Sequence, residues 1–211
     1  MAEVIDTFAA EAAPVESFLV TNDKIISFEQ RTDVTVDELE RALLPYNAEL
    51  YNGKVVFKMP NAEHGAIQTN VASEIKFYLR KNPIGDVMTE TNFKLWPDRA
   101  KESRIPDVAF VKKGRMPADW RRFPSIAPDL AVEIVSVGED FFEVMDKVDA
   151  YLEQGAQIVW LIMSIKREVL ICTASSTYHR VRDVLTAPDL LPGFELPVSK
   201  IFEGIPLPEN S

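Results

Sequence analysis

Hydrophobic positions along this chain change period several times, and each change marks an element. The stretch TVDE, Thr35 to Glu38, has the Ser/Thr-x-x-Glu form of a capping box ahead of LERALL, which predicts a short helix that Pro45 stops. AELYNGKVVFKMP predicts a strand, an Asn52-Gly53 turn and a second strand. From His64, the apolar residues Ile67, Val71, Ile75 and Leu79 recur at helical spacing, so a helix of about four turns should end before Pro83. Two strands follow, around Asp86 to Leu95 and Asp107 to Val111, and then a polar, Pro-containing loop from Lys112 to Pro128. Leu130 to Val135 is a further strand. Ser136 and Glu139 form a second candidate capping box, after which Phe141, Met145, Val148 and Leu152 share one helical face until Gly155. The continuous apolar run IVWLI, residues 158 to 162, fits a strand covered on both faces, and REVLICT and TYHRVR fit antiparallel strands at the edge. No internal repeat or low-complexity segment interrupts this order. It predicts an α/β domain with a mixed sheet flanked by helices, preceded by an extra helix and hairpin. Residues 1 to 33 are expected to be a loosely held arm, 34 to 205 one domain, and 206 to 211 a tail.

Two of the apolar runs carry acid. RIPDVAFV begins its strand with Asp107, and IAPDLAVEIVSVGED holds Glu133 between Leu130, Ala131, Val132, Ile134 and Val135. A buried, unpaired carboxylate costs several kcal/mol or is driven to its neutral form, so something must compensate it. A basic partner, a dense hydrogen-bond network or a metal ion would serve. Pro-Asp pairs also open turns, which is a sufficient account of Asp129 and an even alternative for Asp107. No turn residue accounts for Glu133, whose bland explanation is a structural salt bridge.

Composition narrows the chemistry. The chain has 211 residues, 46% of them hydrophobic, with three Trp, enough to bury a substantial core. Its single cysteine, Cys172, excludes an internal disulfide framework and a thiolate-rich zinc site, and fits a reducing, cytoplasmic setting. The acidic N-terminus lacks the basic and apolar regions of a secretory signal, and no apolar run reaches the roughly 18 residues of a membrane span. The formal charge of −10 opposes a high-affinity, metal-free DNA binder. It does not oppose an enzyme whose acids hold a divalent cation, because the ion inverts the local field.

At about 100° per residue, Lys147 falls on the flank of the apolar helical face, beside Asp140 and Tyr151. From there its stem can lie along the sheet and its ammonium can reach the strand end; a snorkelling surface lysine is the commoner alternative. Two carboxylates that bind Mg2+ or Mn2+ and one lysine that orients the nucleophile form a sufficient set for phosphodiester cleavage.

The segments RIPDVAFV, PDLAVEIVS, the run D-K-x-x-x-Y-x-x-x-G-x-x-x-x-W from Asp146 to Trp160, AELYNGKVV, the histidine opening the helix at His64, and the late LPGFELPVSKIF together resemble the Uma family of restriction-endonuclease-like proteins, a branch of the PD-(D/E)XK nuclease superfamily. The resemblance covers residues 35 to 202. It implies a restriction-endonuclease-like core in which Asp107 and Glu133 bind the metal. The superfamily's lysine lies two positions after the glutamate, where this chain has Val135; in this branch it has migrated to the next helix, which makes Lys147 its substitute. Glu49 matches an acidic position of the first hairpin, as a further ligand or as the partner of Lys54 across the turn. His64 is either a substrate contact or a structural helix-terminal histidine. SVGED stands where many relatives carry Ser-Pro-Ser. Trp160 belongs to the core.

Three functions compete. The first is a metal-dependent DNA endonuclease, for which a homodimer would suit double-strand cutting. The second is a catalytically silent nuclease fold used for binding or assembly, favoured by the acidic charge and by Val135. The third is a carboxylate-pair glycoside hydrolase that needs no metal.

Overall fold

The structure is a computed structural model that describes residues 28–42, 44, 46–174 and 177–207. Pro45, most of the expected arm and the last four residues of the expected tail lie outside them. The elements run α1 (Val36–Ala42), β1 (Ala48–Tyr51), β2 (Lys54–Phe57), α2 (Ala62–Lys81), β3 (Gly85–Thr89), β4 (Val108–Lys112), β5 (Leu130–Val135), α3 (Phe141–Glu153), β6 (Ile158–Met163), β7 (Glu168–Thr173), β8 (Thr177–Val181), β9 (Val184–Thr186), β10 (Glu195–Pro197) and α4 (Val198–Ile201). Strands β3 to β8 form one sheet in chain order. Only β5 and β6 pair in parallel, and α3 makes their crossover. All other neighbours in the sheet are antiparallel, so the sheet is mixed, with helices on both faces.

Side-chain alternation assigns those faces. Leu130, Val132 and Ile134 of β5, with Trp160 and Ile162 of β6, pack with Ile67, Val71, Ile75 and Leu79 of α2. Each of the fully buried aliphatics on α2 stabilises the fold by roughly 1.5–3 kcal/mol. The C-terminal segment joins the same core, and the Trp160 ring stacks on Phe194 at 6.2 Å. On the opposite face Ala131, Val159 and Leu161 pack with Val144, Val148 and Tyr151 of α3. The β1–β2 hairpin and α1 close a smaller core around Leu50, Val34 and Leu39.

The predicted hairpin is present, with Asn52 and Gly53 at φ +49° and +82°, the left-handed pair that a two-residue turn requires. The first capping box is also present: Thr35 Oγ1 accepts from Glu38 N at 3.2 Å, and Thr35 N donates to Glu38 at 2.9 Å. The second does not cap a helix. Ser136 N does donate to Glu139 at 2.6 Å, but α3 starts later, with Asp140 accepting from Phe142 N at 2.8 Å. The α2 helix is longer than its apolar spacing indicated, because Asn61 caps it by accepting from His64 N. The strand expected to reach Leu95 ends at Thr89, where Glu90 turns to φ +47° and carries the chain out of the sheet.

Candidate active site

The registry of β4 and β5 decides what the two acids can do. Val108 lies opposite Val132, and Asp107 N donates to Val132 O at 2.9 Å. One step along the antiparallel ladder, Asp107 therefore faces Glu133. Both side chains point to the α3 side of the sheet, and both residues are buried, 1% and 4% exposed. Like charges directly opposite on neighbouring strands repel, and burial strengthens the repulsion. The surrounding residues answer that repulsion individually.

Asp107 is held on both oxygens. Ile134 N donates to Oδ2 at 2.7 Å, while Lys58 Nζ donates to Oδ1 at 2.7 Å. His64 Nε2 lies 3.2 Å from the same Oδ1, and its Nδ1 lies 3.0 Å from Ser136 Oγ. His64 is thus both in the first turn of α2 and a member of the site. The Lys58 ammonium also donates to Ile105 O at 2.8 Å and stands 3.9 Å from Glu133 Oε2. It thus sits between the two acids, bonded to Asp107 and within ion-pair reach of Glu133. Glu133 Oε1 accepts from Tyr151 Oη of α3 at 2.8 Å.

Lys147 reaches the site, but its direct partner is Glu49. Its Nζ lies 2.7 Å from Glu49 Oε1, and the lysine side chain is only 14% exposed. Glu49 is 1% exposed and also accepts from Ile105 N at 3.0 Å. The hairpin registry pairs Glu49 with Val56, so Glu49 does not meet Lys54 across the turn; Lys54 pairs with Tyr51. Val135, in the position of the superfamily's lysine, packs on the apolar α3 side of the sheet. Asp129 is structural: it accepts from Lys112 N at 2.8 Å and pairs with Arg115 at 2.6 Å.

Electrostatics separate the two acids. Burial pushes Asp107 up, but the Lys58 ammonium and the bond with His64 outweigh it and hold its carboxyl at about 2. Burial also dominates at Glu133, where the fields of Lys58 and Lys147 offset it only in part, and the carboxyl is raised to about 7. His64 is raised above its ordinary value, because the bond and the charge of Asp107 outweigh burial, which acts the other way. Burial would lower Lys58 and Lys147, yet the surrounding carboxylates, Glu133 first, keep both above the ordinary lysine value. The surroundings therefore favour the ionised form of Asp107 and the protonated form of Glu133.

Glu49, Lys58, His64, Asp107 and Lys147 line a cleft of about 860 Å³ between the hairpin, the start of α2 and the start of α3. Its rim is apolar at Val56, Met59 and Val137, and acidic along Glu139, Asp140, Glu143 and Asp146. Among the described residues, no group of three or more Asp, Glu, His or Cys side chains is gathered to hold a metal ion. Asp107 and Glu133 stand opposite each other on neighbouring strands, His64 lies against Asp107, and Glu49 is turned to Lys147. Two hard carboxylate donors fit a Mg2+ or Mn2+ ion that keeps several of its waters.

Of the residues the sequence singles out, Asp107, Lys147, Glu49 and His64 line this cleft, and Glu133 lies buried behind its wall, opposite Asp107. The sequence signals missed Lys58 and the hydroxyl of Tyr151. The signal for Lys58 was present in KVVFK: alternation from Glu49 and Val56 puts Lys58 on the cleft side of the hairpin.

A mixed sheet with helices on both faces and two facing strand acids is the architecture of an α/β nuclease-like fold. Residues 36–199 match the family model Uma2, described as "Putative restriction endonuclease", and the chain belongs to that family. Among solved structures it is similar to "a putative nuclease belonging to DUF820" from Anabaena variabilis, with 23% identity and a TM-score of 0.66, over 80% of this chain and 97% of that one. At that identity the likeness is one of fold. No curated protein matches the chain.

Proposed function

We propose that this protein is a metal-dependent endonuclease that hydrolyses phosphodiester bonds in DNA. The observation that carries the proposal is the buried, face-to-face pair Asp107 and Glu133, with the Lys58 ammonium 2.7 Å from the first and 3.9 Å from the second at the wall of a cleft. Asp107 and Glu133 would hold Mg2+ or Mn2+. Bound there, the ion supplies charge neutralisation at the phosphate and lowers the pKa of an attached water. The chain's own groups do the rest. Ile134 N and Tyr151 Oη fix the two carboxylates in orientation. Lys147, anchored by Glu49, sets a positive charge in the cleft wall that would meet the substrate phosphate, and His64 bridges Asp107 to Ser136.

The test is cleavage of supercoiled plasmid and labelled duplex with Mg2+ or Mn2+, against EDTA. Asp107→Asn and Glu133→Gln should each reduce cleavage by at least about a hundredfold, as the loss of a group that stabilises the transition state does. Cleavage that persists in EDTA, or in both variants, would refute the proposal. Lys58 in the shared seat favours a second reading, a nuclease fold that binds without cutting. Wild-type protein that binds duplex but never cuts it with either metal would establish that reading. Double-strand cutting would require two such clefts, as in a homodimer with twofold symmetry. Among the described residues no helix is long and apolar enough to cross a membrane.

A further inference from the structure

We infer that Lys58 is an internal counter-ion of the metal seat: its ammonium holds Asp107 and Glu133 together in the metal-free protein and has to leave before a divalent cation can enter. The inference rests on the metal-binding reading of those two acids. Three observations support it. Lys58 Nζ donates to Asp107 Oδ1 at 2.7 Å and to Ile105 O at 2.8 Å and lies 3.9 Å from Glu133 Oε2, so its surroundings are oxygen atoms that a hard cation would also choose. Its side chain is 14% exposed, too buried for a surface lysine that merely drifts near an acid. Finally, the acids face each other across an antiparallel pair, where two uncompensated carboxylates would be strongly destabilising.

One seat cannot hold an ammonium and a divalent ion together, because their repulsion in a buried site is large. Metal binding is thus an exchange of one cation for another, and the ion pair that Lys58 makes is subtracted from the metal's affinity. Lys58 hangs from the end of β2 on a flexible four-carbon stem and lines the open cleft, so it has a direction in which to withdraw. Lys147 is not in the same position. It is paired with Glu49, and the acids need not release it for the seat to be filled.

The experiment is calorimetric titration of Mn2+ into metal-free wild-type protein, Lys58→Met, Lys58→Gln, Glu133→Gln and the Lys58→Met/Glu133→Gln double variant, with a melting curve of each with and without Mn2+. Lys58→Met and Lys58→Gln should bind Mn2+ at least about tenfold more tightly than wild type. Their melting temperatures should fall without metal and recover with it by more than wild type gains. The double variant should lose the added affinity. If wild type binds one Mn2+ that Glu133→Gln abolishes, but the Lys58 variants bind equally or more weakly, the counter-ion role is overturned and the metal site stands. If neither wild type nor the Lys58 variants bind Mn2+, both fall together. Lys58→Gln keeps a donor for Asp107, so it preserves the comparison should Lys58→Met fail to fold.

Discussion

Replacing Lys147 by Met tests whether that lysine is a solvated helix residue, a structural partner or a group that acts on substrate. A solvated lysine would cost no more than about 0.5 kcal/mol. The structure argues for more. The side chain is 14% exposed, its Nζ lies 2.7 Å from Glu49, and Glu49 is almost fully buried. Removing one partner of a buried ion pair leaves an uncompensated charge and typically costs 3–5 kcal/mol. Glu49 keeps its bond from Ile105 N at 3.0 Å and a long one from Tyr51 Oη at 3.4 Å, so the loss should be smaller, about 2–4 kcal/mol. For a chain of this size that lowers the melting temperature by roughly 4–16 °C. Urea denaturation of Lys147→Met, Glu49→Gln and the double variant closes the cycle. The double variant should recover most of the stability, because the stranded charge is gone. If it also recovers DNA cleavage, Lys147 serves only to neutralise Glu49. If stability returns while cleavage stays at least about a hundredfold down, the ammonium acts on the substrate. A Lys147→Met change below about 0.5 kcal/mol would refute the ion-pair argument itself.

Stability should also depend on pH through the site. Glu133 is raised from 4.5 to about 7, so the folded protein binds its proton more tightly than the unfolded chain and stability should fall as pH rises from about 4.5 through 7. Urea midpoints across that range should show a slope that Glu133→Gln flattens; an unchanged slope would exclude Glu133 as its source. Asp107, lowered from 3.8 to about 2, acts in the opposite sense: its contribution is complete above about 3.8 and is lost as pH falls through 2, which acid unfolding of Asp107→Asn would reveal as a missing transition. Tyr151→Phe deletes the 2.8 Å donor to Glu133 and should cost about 1–3 kcal/mol at pH 5.5 by thermal unfolding; no loss would mean that the hydroxyl is not holding the carboxyl. Gly85→Ala should be among the more damaging single changes in the sheet, above about 2 kcal/mol, because an added Cβ would run into the Val111 carbonyl and the Phe110 ring on β4; wild-type stability in a melt would contradict that packing.

How much of this was legible in the sequence depended on whether a signal was local. IVWLI is a continuous apolar run and LAVEIV is one broken only by Glu133, and they are the two central parallel strands; Thr35 and Glu38 announce α1 through three residues of spacing alone. The end of β3 had no such signal, since nothing in the residues around Glu90 requires a positive φ; the turn is imposed by the chain's route back to Phe93 and its bridge to Arg104. The helical flank assigned to Lys147 was right in direction, yet its partner depended on where the hairpin docks. The same docking hid Lys58, whose face on the hairpin follows from alternation but whose 2.7 Å contact with Asp107 spans 49 positions of chain.

The acids were visible for a different reason. Glu133 interrupts an apolar strand, and such an interruption persists only where a compensating group exists. A residue that is costly on its own terms points to its surroundings, whereas a helical or hairpin lysine is inexpensive anywhere on a surface and points to nothing. That asymmetry explains why the carboxylates could be found before the cations that balance them. It also gives the order in which the site has to be taken apart experimentally. The cations should be removed first, one at a time, with Asp107 and Glu133 intact, because each loss then reports on a charge that the remaining acids feel. Removing an acid first relieves the repulsion between Asp107 and Glu133 and makes Lys58 and Lys147 look dispensable.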